Sequence, residues 1–190
     1  MKRLLALVCT ALLTTGALAG PVKYTIDSNH TYPSFAADHM GGLSTWRGKF
    51  NKTLGTIVLD VQAQTGSIDV TIDAASIDFG HEKLNAHAKS PEMFDVDQFP
   101  TATYTGKLTK FVNGAPTSAE GSLTLHGVTK PVTLTIESFL CKPHPRTKKE
   151  VCGANASGRV NRKDFGVSFG EQMGFDMEVG LNIQVEAVRE

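Results

Sequence analysis

Charge of either sign is scarce and balanced: the 190-residue chain carries 19 basic and 19 acidic side chains, for a formal net charge of zero. A nucleic-acid binder needs a basic face to meet phosphates, and a protein held to membranes by electrostatics needs a polybasic cluster. Neither is expected here. Aromatic residues are few, at 7%, and no long apolar run follows the first twenty residues. Enzyme signatures are missing as well. There is no phosphate-binding G-x-x-x-x-G-K-[ST] loop and no strand-linked G-x-G-x-x-G. What remains is 41% hydrophobic with 18 glycines, an ordinary globular composition that can bury enough apolar surface to offset chain entropy.

The first segment has the look of an export signal. Met1-Lys2-Arg3 is a short basic start, Leu4 to Leu13 is mostly apolar, and Ala17-Leu18-Ala19 is an A-x-A cleavage site before Gly20. Cys9 lies inside the apolar run instead of at the cleavage point, which argues against a lipid anchor. The expectation is a signal peptide over 1–19, cleaved near Ala19/Gly20. A single exported domain over 20–190 would follow, with no integral membrane segment after cleavage.

Alternation dominates the rest. Phe175, Met177, Val179, Leu181, Ile183, Val185 and Ala187 are separated by single polar or small residues. Period two over this length predicts a half-buried strand. Shorter stretches around Ile57–Val61, Ile68–Ile72, Leu123–Leu125 and Val132–Ile136 repeat the pattern, with turn residues between them. Further strands are predicted over Lys23–Ser28, Ser34–His39, Thr45–Phe50, Thr101–Phe111 and Ala154–Asn161. One segment, His81 to Pro91, is rich in helix formers and predicts a short helix ended by Pro91.

So many strands with short connections predict an all-β fold, an antiparallel barrel of about eight strands with one helix over its side. The low aromatic content and the Arg189-Glu190 end exclude the aromatic girdles of an outer-membrane barrel. A barrel of this size is either filled by side chains or holds one small ligand.

Metal and catalytic constellations are weak. His81-Glu82-Lys83-Leu84-Asn85 places Asn85 where a zinc-binding histidine would stand. Asp95 and Asp97 read as a solvated turn before Phe99-Pro100. Cys141 and Cys152, the cysteines left after export, most simply pair in an oxidising compartment, with a loop between them. Cys141-Lys142-Pro143-His144 also has a C-x-x-H spacing, but a structural zinc would need more ligands.

Four motifs carry a resemblance. Ser90-Pro-Glu-Met-Phe-Asp-Val-Asp-Gln-Phe-Pro-Thr-Ala-Thr-Tyr104 and Leu123-Thr-Leu-His-Gly-Val-Thr-Lys-Pro-Val132 resemble the central signatures of the YceI-like family. Asp27-Ser-Asn-His30 with Asp38-His-Met-Gly41 is similar to its opening, and Arg162-Lys-Asp-Phe-Gly166 to its late turn. The resemblance implies an extended lipocalin-like barrel with a helix over one side. It implies a periplasmic carrier, sometimes a homodimer, holding a polyisoprenoid or another long-chain lipid in a tunnel, with no required cofactor or metal. Under that reading the tunnel wall would include Phe35, Phe50, Ile72, Phe94, Tyr104, Leu125, Phe165, Met177 and Leu181. Small Ala37, Gly48 and Ala102 would leave room, and flexible Met93 and Met177 would adapt to an irregular chain. His39 would join the lining, and Trp46 could narrow the tunnel. Pro33 inside the second strand predicts an edge or a bulge. Two other classes stay open: an interaction module with a packed interior, and an enzyme using His39 or His126 as a base.

Overall fold

The computed structural model describes residues 20–190, so the predicted signal peptide lies outside the described residues. Alternating sequence becomes eleven strands: β1 (Val22–Ile26), β2 (Tyr32–His39), β3 (Ser44–Phe50), β4 (Thr53–Asp60), β5 (Thr65–Asp73), β6 (Ile77–Asp78), β7 (Thr101–Val112), β8 (Ala115–Leu125), β9 (Val128–Pro143), β10 (Glu150–Asn161) and β11 (Glu178–Arg189). One helix, α1 (Glu82–Lys89), interrupts them. Hydrogen bonding runs β1-β4-β5-β7-β8-β9-β10-β11 and closes through a β1–β11 pairing. Eight antiparallel strands therefore form a closed barrel. The short β2–β3–β6 sheet extends it from the free half of β11.

Most of the barrel is a simple meander, as short turns dictate. The exception is β1, which sits between β4 and β11 because the chain leaves the barrel to build β2 and β3 before returning. β11 pairs with β10 from Glu178 to Val188 along one edge. Its other edge is shared: Ala187 to Arg189 face β1, and Val179 to Gln184 face β2. At the junction on that edge, Val185 and Glu186 have no strand partner. Thr31, 1% exposed, fills the gap. Its hydroxyl donates to the Glu186 carbonyl and accepts the Glu186 N–H, both at 3.1 Å, and Asp27 N–H donates to the same carbonyl at 2.9 Å. One side chain thus does the work of a missing peptide unit.

Pro33 lies one residue beyond the last β2–β3 pair, Ser34–Lys49, so it stands at a free edge where a residue without an N–H is tolerated. β11 starts at Glu178, three residues later than the alternation suggested. The carboxylates take the amides there: Asp176 N–H donates to Asp38 and Glu178 N–H to Asp176, so no partner strand can bind this stretch. Asp95 sits in a turn as read, but it is buried instead of solvated, at 9% exposure and φ +45°. Its carbonyl receives the N–H groups of Gln98 and Phe99, which folds the segment inward.

α1 is capped by His81, whose Nδ1 accepts the Leu84 N–H. It buries Ala88 completely against Phe50, Ile72, Ile77 and Ala102, so the helix rests on one end of the barrel. At the opposite end Cys141 and Cys152 are direct partners across β9 and β10, with Cα atoms 4.0 Å apart, and they form a disulfide. The strands extend past both cysteines, so the true loop is the shorter stretch 144–149. There His144 Nδ1 accepts the amides of Arg146 and Thr147. With both sulfurs bonded to each other, the C-x-x-H spacing has no thiolate to offer a metal.

Thr31→Val is expected to keep the shape but leave the part-buried Glu186 N–H without its partner, lowering stability by about 1 kcal/mol. Thr31→Ser should retain most of it. Urea denaturation of both variants measures the difference.

Candidate functional site

The inward faces of the strands do not meet in the middle. They enclose a cavity of about 510 Å³, lined almost wholly by apolar side chains. That volume is within the ~300–1,000 Å³ typical of small-molecule sites. Toward the β1 and disulfide end the wall is tightly buried: Tyr24, Leu59, Leu108, Ala119, Cys152 and Ala187. Toward α1 it becomes aromatic and partly exposed, with Phe169 reaching 37% exposure. The cavity is therefore closed at one end and approached from the other.

At the aromatic end the rings interlock edge to face. Phe35 packs on Phe79 with ring centres 5.4 Å apart, Phe50 on Phe94 at 6.0 Å, and His39 stands between Trp46 and Phe175 at 5.7 and 5.4 Å. His87 of α1 closes on Phe169 at 4.6 Å. Such pairs hold the rim in shape without polar contacts. Midway down, Tyr104 lies across Gly121, where a Cβ would come within 2.9 Å of its ring. Its hydroxyl is 3.1 Å from the Ala119 carbonyl and 3.0 Å from that of Val132. Burial pushes this phenol up to about 12, so it stays neutral and tied to the wall.

Two polar groups organise the rim. Arg162 donates to the carbonyls of Val167 and Phe169, which folds the 162–170 segment over the barrel. Asp38 accepts the N–H groups of Gly41, Gly42 and Asp176, which ties the β2–β3 turn to the segment before β11. Those amide bonds hold its carboxyl below the usual aspartate range, Asp176 contributing most.

Most of the wall expected from sequence faces this cavity. Phe35, Ala37, His39, Trp46 and Phe50 line it from β2 and β3. Ile72, Ala102, Tyr104, Leu125 and Leu181 line it from the barrel, and Met93 and Phe94 from the turn after α1. Phe165 and Met177 do not. Phe165 belongs to a 3-10 turn, Arg162–Phe165, and packs at 2% exposure against the barrel core. Met177, 6% exposed, precedes β11 and gives its carbonyl to the Arg162 N–H. Strand alternation carried to Met177 runs into residues that are not strand, and Phe165 lies in a turn where no alternation sets a face. Gly48 leaves no room either, because the Phe35 ring already occupies the space its side chain would fill, 2.6 Å from a built Cβ.

Sequence reading missed Phe79, Leu84, His87, Val167, Phe169 and Phe175 on the wall. Phe79 could have been found, two residues past inward Ile77. Phe169 could not, since only the Arg162 contacts fold its loop back. His126 sits against the Phe99 ring at 4.3 Å, with Nδ1 3.2 Å from the Phe165 carbonyl, away from the cavity. Among the described residues no group of three or more His, Cys, Asp or Glu comes together as a metal site.

An extended eight-stranded barrel, closed at one end and enclosing an apolar cavity, is a lipocalin-like architecture. Within that class the chain belongs to the YceI-like family, whose domain matches residues 24–187. Protein YceI of Salmonella arizonae is 34% identical over 193 residues, covering 100% of this chain and 98% of its own. Among solved structures, BcnA of Burkholderia cenocepacia superposes with a TM-score of 0.67 at 21% identity, over 85% of this chain and 98% of its own. A polyisoprenoid binding domain from Saccharophagus degradans gives 0.63 at 13% identity, over 89% and 99%. At those identities the two structures speak for the fold. No helix among the described residues is long and apolar enough to cross a membrane.

Because the Asp38 carboxyl is held low, the stability it lends is present above the ordinary aspartate value of 3.8 and is lost as pH falls through its lowered one. NMR pH titration should show the amide signals of Gly41, Gly42 and Asp176 moving together below that value. Asp38→Asn should abolish the shared transition.

Proposed function

We propose that this protein is a periplasmic carrier that holds a polyisoprenoid, or a similar long-chain amphiphile such as an isoprenoid quinone, prenyl lipid or fatty amide, in its barrel. The observation that carries this reading is the apolar cavity itself, about 510 Å³, where a packed interaction module would be filled by side chains. Membership of the YceI-like family and the fold shared with a polyisoprenoid binding domain support it. An apolar tail gains roughly 25 cal/mol for each Å² taken out of water, so affinity should follow buried length. The reading is of a binding protein, not an enzyme, needing no metal or cofactor. It includes export, with cleavage near Ala19/Gly20 of the signal-like start. The family resemblance extends it to a homodimer, which light scattering on the mature protein would test.

Native mass spectrometry of protein purified from its periplasm, followed by extraction, should reveal a co-purified long-chain lipid. Ala102, 3% exposed on the wall, gives the sharper test. Ala102→Trp should block the cavity, with overpacking costing about 1–3 kcal/mol. The variant should remain folded by circular dichroism yet lose most bound lipid. Thr105→Trp, on the exposed face of the same strand, should retain it. Lipid held at wild-type stoichiometry by folded Ala102→Trp would overturn the reading.

A further inference from the structure

Two buried side-chain atoms have no hydrogen-bond partner among the described residues: Oγ1 of Thr53 and Nε2 of His87. Both residues line the cavity. Thr53 is only 1% exposed. It opens β4 opposite Ile72, which pairs in turn with Ala102, so it stands in the row of inward residues nearest α1. His87 is on α1 itself, against Phe169. Farther from the helix, the polar groups are engaged. Tyr104 is bonded to main-chain carbonyls and Tyr24 donates to Glu150. Between them the wall is Leu59, Leu108, Ala119 and Ile136. Unsatisfied polarity is thus confined to the α1 end.

A buried hydroxyl without a partner carries its full desolvation penalty, and buried polar groups are seldom left that way. A pure hydrocarbon ligand would leave Thr53 unsatisfied. An ionised head group is also a poor match at this position. Thr53 offers only a dipole, no lysine lines the cavity, and the one guanidinium on the wall, Arg162, is donating to the Val167 and Phe169 carbonyls. A charge set among Phe50, Ile72 and Ala102 would lose its hydration with no free cation among the described residues beside it, since the His87 imidazole already faces Glu92 at 3.5 Å. We infer that the ligand carries an uncharged hydrogen-bonding oxygen, a hydroxyl or a carbonyl, which binds Thr53 beneath α1 while its apolar tail runs toward Leu59 and Leu108 at the closed end. This rests on the carrier reading and specifies the ligand's head-group chemistry and its orientation.

The test compares geranylgeraniol with the matching C20 polyene that lacks the oxygen. Trp46, the single tryptophan, lies on the wall and reports both titrations by its fluorescence. Wild-type protein should prefer the alcohol by about tenfold, the usual effect of one buried neutral hydrogen bond. Thr53→Val has the same shape without the hydroxyl. It should bind the polyene as wild type does and lose the preference for the alcohol. Thr53→Ala must lose it too, and Thr53→Ser must keep it. If wild type binds both compounds equally, or if the valine variant keeps its preference, the inference is overturned while the carrier reading stands. If neither compound binds wild type, both fall together.

Discussion

β11 is the strand on which the rest depends. Every buried backbone N–H and C=O must find a partner, and an antiparallel sheet meets that demand only if both edges of each strand are covered. β11 meets it with three neighbours: β10 along one edge, β1 and β2 in succession along the other. Because β1 is only five residues long, it closes just one end of the barrel. β2 continues the edge and carries the wall onward through β3 toward α1. The Thr31 hydroxyl joins the two halves at Glu186. Closure at one end and extension at the other give the interior its direction.

That direction sets the character of the cavity. At the closed end the register brings Tyr24, Leu59 and Ala187 together in a fully buried wall. At the extended end fewer strand pairs enclose the space, and aromatic rings on β2, β3, α1 and the 162–175 segment complete it. Large rings suit this task, since each covers much surface with few freely rotating bonds. The segment that carries Phe169 and Phe175 has little regular structure of its own. Arg162 and Asp38 hold it by charge-assisted bonds to backbone carbonyls and amides, which are among the stronger hydrogen bonds available.

An enclosed apolar space has a thermodynamic cost, because side chains around it forgo dispersion contacts they would make in a packed core. Small residues widen it at Ala102 and Ala119, while Tyr104 lies flat over Gly121. The disulfide between β9 and β10 and the continuous ladder from β4 round to β11 support a wall that cannot draw on a filled interior. Unspent burial of this kind is what an apolar ligand would recover.

The sequence by itself determined the all-β character, the short helix after Gly80 and the pairing of Cys141 with Cys152, because these rest on local periodicity, helix propensity and cysteine count. It also placed inward residues correctly where a strand is regular, as at Ile72, Ala102 and Tyr104, since period two allows only two faces. Only the tertiary structure decided where the strands stop. Met177 alternates as if in a strand, yet the amides beside it go to Asp38 and Asp176 and its own carbonyl takes the Arg162 N–H, while Phe165 falls in the 3-10 turn after β10. Arg162, seven residues earlier in the chain, folds Phe169 back onto the wall. The shared edge of β11 was equally invisible, because it joins residues 31 and 186, and no local pattern encodes a bond between positions so far apart in the chain.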